Sequence, residues 1–307
     1  MSLFAAFAVH AKPFSFVALG DLPYGSEAHA YPPYRVLIGT INKMHPPFSI
    51  HVGDVKSGST LCSDQELQAQ TGHFNMFEAA VVYTPGDNEW TDCHRANNGA
   101  YDPQERLQAL RKRFFTPGQS LGKAPLKLQN QSTLDPAHSQ FIENQRWLYQ
   151  QVLFVTLHIV GSNNNFEVRD PSAVAEFFER DKANVAWIRD AFAFAQQTSA
   201  KANVFAMQAD VFESKSIWED FPGHSGFRNS IGNTLLPLTA EAAVPVLLIH
   251  GDSHVFRFDQ PFNMAKKPLN NLTRLIVPGA NDVRAVHVTV DTRQPMLFAV
   301  RLIETTP

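Results

Sequence analysis

The chain has 307 residues, of which 44% are hydrophobic, and its formal net charge is −3 at pH 7. This length can bury a large core in one or two domains. The low net charge and the lack of any long Lys/Arg block exclude the electrostatic footprint of a nucleic-acid or anionic-membrane binder. No apolar stretch approaches the roughly 20 residues that span a bilayer. We therefore expect a small-molecule substrate, no nucleic-acid partner and no membrane segment.

The first eleven residues, MSLFAAFAVHA, are apolar and end in Val-His-Ala. They resemble the tail of a secretory signal, although they are short and lack a positively charged start. We interpret residues 1–11 as a signal remnant, which predicts a periplasmic or secreted protein, with the cytoplasm as the alternative. Residues 12–307 show no linker, low-complexity tract or repeat, and we expect them to form one domain.

Strand and helix patterns alternate along the first third of the chain. The predicted strands cover residues 14–20, 48–52 and 80–84, and the predicted helices cover residues 34–44, 64–77 and 103–115. Such a βαβ order is typical of parallel strands joined by crossover helices.

The rest of the chain changes character. Residues 116–138 are rich in Pro, Gln, Lys and Gly without periodicity, which predicts a long loop. The later predicted elements are a strand at 153–160, a helix at 173–196, a strand at 204–207, an aromatic loop at 214–229 with Trp218, Phe221, His224 and Phe227, and strands at 244–249, 272–277, 285–290 and 296–302. This mixture predicts an α/β fold with two packed sheets flanked by helices.

Four apolar runs end in Gly-Asp. They are FVALGD at Asp21, SIHVGD at Asp54, VVYTPGD at Asp87 and VLLIHGD at Asp252. Glycine lets the backbone turn as a strand leaves the sheet, so that each aspartate follows the carboxyl end of a strand. Ligands bind at that edge of open α/β sheets because the loops converge there. We expect several carboxylates to share one crevice.

Such a cluster needs compensation. Two unit charges about 4 Å apart repel by roughly 4 kcal/mol at an effective dielectric near 20, whereas a folded domain has about 5 to 15 kcal/mol of net stability. Protonation, a lysine or bound cations could supply the compensation, and cations do so most completely because they prefer hard oxygen ligands. The sequence therefore predicts a metal site.

The two cysteines, Cys62 and Cys93, each lie eight residues or fewer beyond one of the Gly-Asp turns. If the second and third Gly-Asp strands are neighbours, both thiols lie on adjacent loops, and a disulfide can form in an oxidising compartment. The alternative is two unrelated buried thiols.

The order of these motifs, from Asp21 to His254, resembles that of the calcineurin-like metallophosphoesterases, which include the purple acid phosphatases. Their pattern is D-x-H or D alone, GD-x-x, GNH-[ED], a lone His, and GH-x-H. This chain has GD, GD, GD-N-E, a polar residue at a strand end, and GDSH. The resemblance implies a four-layer αββα sandwich and a metal-dependent hydrolase of a small phosphomonoester or phosphodiester.

The resemblance also implies a ligand set for one or two divalent metal ions, with Asp54 as the bridging carboxylate. The implied metal ligands are Asp21, Asp54, Asp87, Gln208, Asp252 and His254. Pro23 stands where the family has the His of its first motif, and oxygen groups replace other imidazoles. An oxygen-rich set favours Mn, Mg or Ca over Zn, with Fe also compatible. Lys56 could take the place of a second cation, so that one metal ion and two both stay open.

Further residues are candidates for catalysis and substrate binding. Asn88 replaces the acid–base His of the family, and His94 is the substitute that would protonate the leaving oxygen. Candidates for binding the substrate are Lys56, Arg95, Ser162 and Asn163. Glu89 is expected to orient the loop or a ligand.

Two other functions stay open. The exchanges at Pro23 and Asn88 are also compatible with a catalytically degenerate relative that binds a metal, phosphate or glycan ligand. A metal-dependent hydrolase of another ester is the third interpretation.

Overall fold

The computed structural model of the protein describes residues 12–213, 215 and 222–305. The predicted signal remnant at residues 1–11, and Trp218 and Phe221 of the aromatic loop, lie outside the described residues. The strands are β1 (Phe14–Leu19), β2 (Phe48–His51), β3 (Ala80–Tyr83), β4 (Gln129–Asn130), β5 (Gln145–Tyr149), β6 (Val152–Thr156), β7 (Ala202–Ala206), β8 (Val246–His250), β9 (Arg257–Asp259), β10 (Asn263–Met264), β11 (Lys267–Pro268), β12 (Leu272–Ile276), β13 (Ala285–Val290) and β14 (Phe298–Ile303). The α-helical segments are α1 (Glu27–Lys43), α2 (Asp64–Phe74), α3 (Pro103–Phe114), α4 (Gln131–Leu134), α5 (Gly161–Asn164), α6 (Pro171–Gln197) and α7 (Leu236–Glu241).

The strands form two large mixed sheets. The first sheet has the order β14-β13-β1-β2-β3, and the second has the order β4-β5-β6-β7-β8-β12-β9. Strands β1, β2 and β3 are mutually parallel, as are β6, β7 and β8. Parallel neighbours need a crossover connection. Helix α1 lies in the crossover from β1 to β2, α2 in that from β2 to β3, α6 in that from β6 to β7, and α7 in that from β7 to β8. The carboxyl ends of these six strands therefore lie at equivalent edges of the two sheets.

The sheets pack face to face, and helices cover their outer faces. Phe16 and Phe48 of the first sheet contact Phe154 of the second, with ring centroids 5.2 and 5.0 Å apart. Helices α1, α2 and α3 pack on the other face of the first sheet, while α6 and α7 pack on the second. This is the predicted four-layer αββα sandwich, and the prediction of the fold class is confirmed.

Helix α6 shows why these layers form. Its N-cap Asp170 accepts hydrogen bonds from the backbone N–H groups of Ser172 and Ala173, and Pro171 takes the first helical position. Its buried face carries Trp187 and Ile188 against the second sheet. The cap fixes where the helix begins, and the apolar face fixes its orientation.

Helix α1 begins at Glu27, seven residues before its predicted start at residue 34. Pro32 and Pro33 lie inside the helix. Proline removes backbone donors and usually ends a helix, which is why the prediction began after them. The buried residues Tyr31 and Tyr34 lie on either side of the two prolines. Packing of this face against the first sheet outweighs the local cost.

In the second half of the chain, the observed elements differ more from the predicted ones. The predicted loop at residues 116–138 contains β4 and α4, and β5 was not predicted. The strand predicted at 153–160 ends at Thr156. The described part of the aromatic loop becomes helical from Ser225 onward, through a 3-10 turn and a π-helix (Arg228–Leu235). The other predicted boundaries agree to within three residues.

Strands β2 and β3 are neighbours, and the loops that follow them are joined by a disulfide between Cys62 and Cys93. Their Cα atoms are 5.7 Å apart. The predicted pairing is confirmed.

None of the helices within the described ranges combines the length and the apolar character needed to cross a membrane.

Candidate metal centre

The predicted ligands lie at one edge of the sandwich. Asp21, Asp54 and Asp87 follow β1, β2 and β3 of the first sheet. Gln208 and Asp252 follow β7 and β8 of the second sheet, and all five side chains are buried or nearly so. The expected convergence of strand-end carboxylates is therefore present, and it draws on both sheets.

Asp21, Asp54 and His254 form a group whose ligand atoms lie close together. One ligand atom from each lies within 4.8 Å of the other two. His254 Nε2 is 3.8 Å from Asp21 Oδ1, and the backbone N–H of Asp252 donates to both carboxylate oxygens of Asp21 at 3.1 and 3.2 Å. Two carboxylates and one imidazole at these separations fit a divalent cation. This part of the site can bind a metal ion.

Asp54 lies at the middle of the cluster and accepts four hydrogen bonds. Its Oδ2 accepts from Tyr24 Oη at 2.7 Å, from Asn88 Nδ2 at 2.9 Å and from Gln208 Nε2 at 3.1 Å. Its Oδ1 accepts from the backbone N–H of Asn88 at 3.1 Å. Tyr24 was not among the residues predicted from the sequence, where its only signal is its position three residues after Asp21.

Asp87 and Asp252 are held by different donors. Asp87 accepts from Gln208 Nε2 at 3.0 Å and from Ser162 Oγ at 2.9 Å. Asp252 Oδ2 accepts from the backbone N–H of Asp210 at 2.9 Å. Both carboxylates therefore already have donors from the protein on at least one oxygen.

The glycines of the Gly-Asp motifs make room for neighbouring carboxylates. A Cβ at Gly86 would lie 2.0 Å from Asp54 Oδ1, and a Cβ at Gly251 would lie 2.2 Å from Asp21 Oδ2. Only glycine allows these close approaches. In two of the four motifs, the glycine before one aspartate thus makes room for the carboxylate of an aspartate on another strand.

Four of the predicted ligands have backbone conformations in the left-handed region. The φ angles are 52° at Asp21, 53° at Asp54, 73° at Asp252 and 60° at His254. Such values are uncommon outside glycine, although Asp and His adopt them more readily than most residues. Residues held in sparsely populated regions cluster at functional sites. The surrounding contacts keep these side chains directed at one point.

Burial and mutual repulsion make the ionised forms of the carboxylates costly. Burial raises the pKa of Asp21 and of Asp54 well above the ordinary value, and neighbouring charges, those of Asp87 and Glu89 among them, raise both further. Burial and the charge of Asp87 likewise raise the pKa of Asp252. The ionised forms are costly without a counterion, which agrees with the expected need for a cation.

Glu89 and Lys56 lie beneath the cluster. Glu89 Oε1 accepts from Tyr83 Oη at 2.7 Å and from the backbone N–H groups of Gly86 and Asp54 at 2.7 and 3.1 Å, so that it orients the loops as expected. Lys56 is only 1% exposed, and its ammonium donates to the carbonyl of Ser57 at 3.0 Å. The role of Lys56 in substrate binding stays a prediction, and in this structure burial keeps the ammonium from solvent. Its charge acts on Glu89 and Asp54.

Segment α5 is a left-handed turn rather than a simple polar loop. Residues 162–165 have φ between 50° and 61°, and three of these four residues are asparagines, which tolerate this conformation. Buried Arg180 donates to Asn164 Oδ1 and to its carbonyl, at 2.5 and 2.9 Å. The turn directs Ser162 toward Asp87.

The other predicted residues lie around the rim. Arg95 forms a 2.5 Å ion pair with Asp92 and donates to Ser162 Oγ at 3.3 Å, with 45% of its side chain exposed. His94 is exposed, and its Nδ1 lies 2.7 Å from the carbonyl oxygen of Thr91. Asn163 is hydrogen-bonded within its own region: its Nδ2 donates to the Phe166 carbonyl and its Oδ1 accepts from the N–H of Gly226.

No family model matches this sequence, and no curated protein matches it. Solved structures do. A dimetal phosphatase from Danio rerio is similar with a TM-score of 0.57 and 9% identity, over 95% of this chain and 99% of that chain. GAP50, described as the anchor in the inner membrane complex of Plasmodium, has a TM-score of 0.52 and 11% identity, over 96% of this chain and 90% of its own.

The purple acid phosphatase PPD1 from yellow lupin seeds is also similar, with a TM-score of 0.52 and 12% identity. The match covers 96% of this chain and 54% of the lupin enzyme, so that this chain corresponds to about half of that protein. These identities establish a shared fold and nothing finer. Two of the three proteins are phosphatases by description, and one is an anchor.

Proposed function

We propose that this chain, whose fold is that of the calcineurin-like metallophosphoesterases, is a metal-dependent hydrolase of a small phosphomonoester or phosphodiester. One observation carries the proposal. Carboxylates from two different sheets converge with an imidazole, and the ligand atoms of Asp21, Asp54 and His254 lie within 4.8 Å of one another. An Asp-rich centre of this kind favours Mn, Mg or Ca over Zn.

Asp54 is the central residue of the proposed mechanism. Tyr24 and Asn88 donate to its Oδ2 and fix the orientation of the carboxylate. A bound divalent cation would supply Lewis-acid stabilisation of the phosphoryl oxygens and would lower the pKa of an attacking water. Precise placement of Asp54 matters because small displacements of such a group cost large factors in rate.

Substrate binding is assigned to the rim. Arg95 is half-exposed and presents a planar guanidinium that matches two phosphoryl oxygens. It already contacts Ser162, which in turn contacts Asp87. A phosphoryl group bound by Arg95 would therefore lie beside the carboxylate cluster.

His94 is the proposed proton donor to the leaving oxygen. The amide of Asn88 cannot take this role, because it carries no titratable proton and is directed at Asp54 and Tyr24. His94 is exposed at the same rim, and its Nδ1 contact with the Thr91 carbonyl leaves Nε2 to act.

A periplasmic or secreted location is proposed with this function. The Cys62–Cys93 disulfide joins the two loops that follow β2 and β3, and disulfides persist in oxidising compartments.

The direct test is turnover by the purified protein. We expect hydrolysis of chromogenic mono- or diesters in the presence of Mn²⁺, Mg²⁺ or Ca²⁺, and its loss in Asp54→Asn. Asp291→Asn is the matched control, since Asp291 follows β13 at the opposite edge of the sheet and pairs with Arg293. Turnover that survives in Asp54→Asn would contradict the mechanism.

A second candidate is a degenerate member of the fold that binds a metal, phosphate or glycan ligand. The observation in its favour is that amides, Asn88 and Gln208, contact Asp54 where an enzyme would use imidazoles. Binding of Mn²⁺ and inorganic phosphate without turnover of any ester, under every metal, would favour this candidate.

A further inference from the structure

The carboxylates around Gln208 already have a bridging partner. Gln208 is 0% exposed, and its Nε2 lies 3.1 Å from Asp54 Oδ2 and 3.0 Å from Asp87 Oδ1. A side-chain NH₂ group has two hydrogens, and each of them has a carboxylate acceptor here. A second cation that took Asp54 and Asp87 as ligands would compete with Gln208 for these same two carboxylates.

The orientation of the Gln208 amide is fixed by its other end. The backbone N–H of Gly161 donates to Gln208 Oε1 at 2.6 Å. Exchange of the amide oxygen and nitrogen would set an oxygen against two carboxylates and an NH₂ group against the Gly161 N–H. The NH₂ group therefore faces Asp54 and Asp87.

The other donors at this position act in the same way. Ser162 Oγ lies 2.9 Å from Asp87 Oδ2, and the backbone N–H of Asp210 donates to Asp252 Oδ2 at 2.9 Å. Asp54, Asp87 and Asp252 thus accept hydrogen bonds from neutral groups of the protein, as Asp21 does from the backbone N–H of Asp252. The Asp21–Asp54–His254 group differs, because it includes an imidazole as a nitrogen ligand.

We propose that the centre binds a single divalent cation, at Asp21, Asp54 and His254, and that the Gln208 amide replaces the second cation by bridging Asp54 and Asp87. The inference rests on the proposed function in that it assumes the site binds a metal ion. It does not require that the protein turn over a substrate. A neutral amide satisfies oxygen lone pairs without adding positive charge. Lys56, the other candidate for replacing a cation, donates instead to the Ser57 carbonyl.

The test counts metal ions. Protein stripped with a chelator is reloaded with Mn²⁺, passed through a desalting column, and measured by mass spectrometry for metal and by electron paramagnetic resonance. We expect one ion per chain in the wild type, with the hyperfine pattern of an isolated Mn²⁺. Gln208→His places a nitrogen ligand at the second position, and we expect two ions with an exchange-coupled spectrum.

Gln208→Glu is the second variant, because it keeps the side-chain shape and the acceptor for Gly161 while replacing the NH₂ group with oxygen. We expect it also to gain an ion, and it tests the proposal if Gln208→His does not fold. Gln197→His, on the exposed end of α6, controls for metal captured by an added imidazole and should still bind one ion.

Two ions in the wild type would overturn the inference and leave the proposed function intact. One ion in every folded Gln208 variant would also overturn it, because the amide would then not be what excludes the second cation. No ion in the wild type would overturn both the inference and the proposed metal-dependent function.

Discussion

Three side chains, those of Tyr24, Asn88 and Gln208, donate hydrogen bonds to Asp54. The hydrogen bond from Tyr24 Oη is the shortest of the three, at 2.7 Å. The same hydroxyl accepts a hydrogen bond from Asn88 Nδ2 at 2.6 Å. Groups that orient a ligand in this way tune metal affinity without touching the metal. Tyr24 is therefore the residue whose removal tests orientation separately from ligation.

We expect Tyr24→Phe to weaken Mn²⁺ binding by about 10- to 100-fold, as for other hydrogen-bond partners of metal ligands. Isothermal titration calorimetry measures the affinity. Tyr149→Phe is the control, since Tyr149 packs against Phe14 and Phe48 at the other edge of the sheets and should bind Mn²⁺ like the wild type. Equal affinity in Tyr24→Phe and the wild type would contradict the orienting role.

A second polar group lies behind the centre. His158 Nδ1 is 2.8 Å from Glu143 Oε1, and both side chains are buried. Burial lowers the pKa of His158 to about 4, against the opposing effect of its hydrogen bond with Glu143. Arg111 donates to both oxygens of Glu143 at 2.6 and 3.1 Å, and although burial alone would raise the pKa of Glu143, the charge of Arg111 holds it below its usual value.

The low pKa of His158 predicts acid sensitivity. Between pH 6.5 and about 4 the unfolded chain binds a proton at this position that the folded chain does not, so the free energy of unfolding falls as the pH falls. From pH 7 to 4.5 the loss from His158 should be about 2 to 3 kcal/mol. His158→Gln removes this loss, and urea denaturation at the two pH values measures it.

His29→Gln, at an exposed position in α1, is the matched control and should lose as much stability as the wild type over the same range. If His158→Gln also loses as much stability as the wild type between pH 7 and 4.5, the histidine is not held neutral.

At the scale of single residues, the sequence indicates where the carboxylates lie but not which groups form hydrogen bonds with them. The four Gly-Asp motifs mark Asp21, Asp54, Asp87 and Asp252 because the pattern itself reports a strand end. The direction of the Gln208 amide depends on the N–H of Gly161, 47 residues away. No local sequence pattern predicts the direction of this amide, and none predicts that Lys56 is buried.

At the scale of the elements, the turns between strand and ligand are set by glycine. Gly86 leaves space for the carboxylate of Asp54. Gly53, whose φ is 96°, lies against the backbone of Gly86. The turns after β2 and β3 therefore depend on each other. The same two turns are tied further along by the disulfide.

We expect Gly86→Ala to lower the free energy of unfolding by about 1 to 3 kcal/mol and to abolish Mn²⁺ binding, because the new Cβ would lie 2.0 Å from Asp54 Oδ1 and 2.5 Å from its backbone nitrogen. Gly39→Ala is the matched control. Gly39 lies in α1 with nothing within 4 Å of an added Cβ, so that alanine should stabilise the helix by roughly 0.5 to 1 kcal/mol. Urea denaturation and calorimetry measure both.

A Gly86→Ala protein that binds Mn²⁺ like the wild type would show that the close approach of the two turns is not needed for the site.

Elements were predictable where local pattern and packing agree. The cap and apolar face of α6 both appear in the sequence, and its predicted bounds differ by two residues at the start and one at the end. The first turns of α1 were missed because Pro32 and Pro33 argue locally against a helix that tertiary packing stabilises. Strand β5 was not predicted because it has only five residues, and their burial does not alternate regularly along the strand.

At the scale of the whole molecule, the site exists because two sheets end at one edge. Asp21 and Asp54 come from the first sheet, and His254 follows β8 of the second. The order of strands and helices made the sandwich predictable from the sequence. The distances between residues from different sheets depend on how the sheets pack, which periodicity does not report.

The most direct test of the account is a crystal structure of the protein soaked in Mn²⁺, with an anomalous difference map collected for the metal. We expect a peak within coordination distance, about 2.0 to 2.6 Å, of a ligand atom from each of Asp21, Asp54 and His254. A fully soaked crystal with no peak at this position, or with these three side chains turned away from one another, would contradict it.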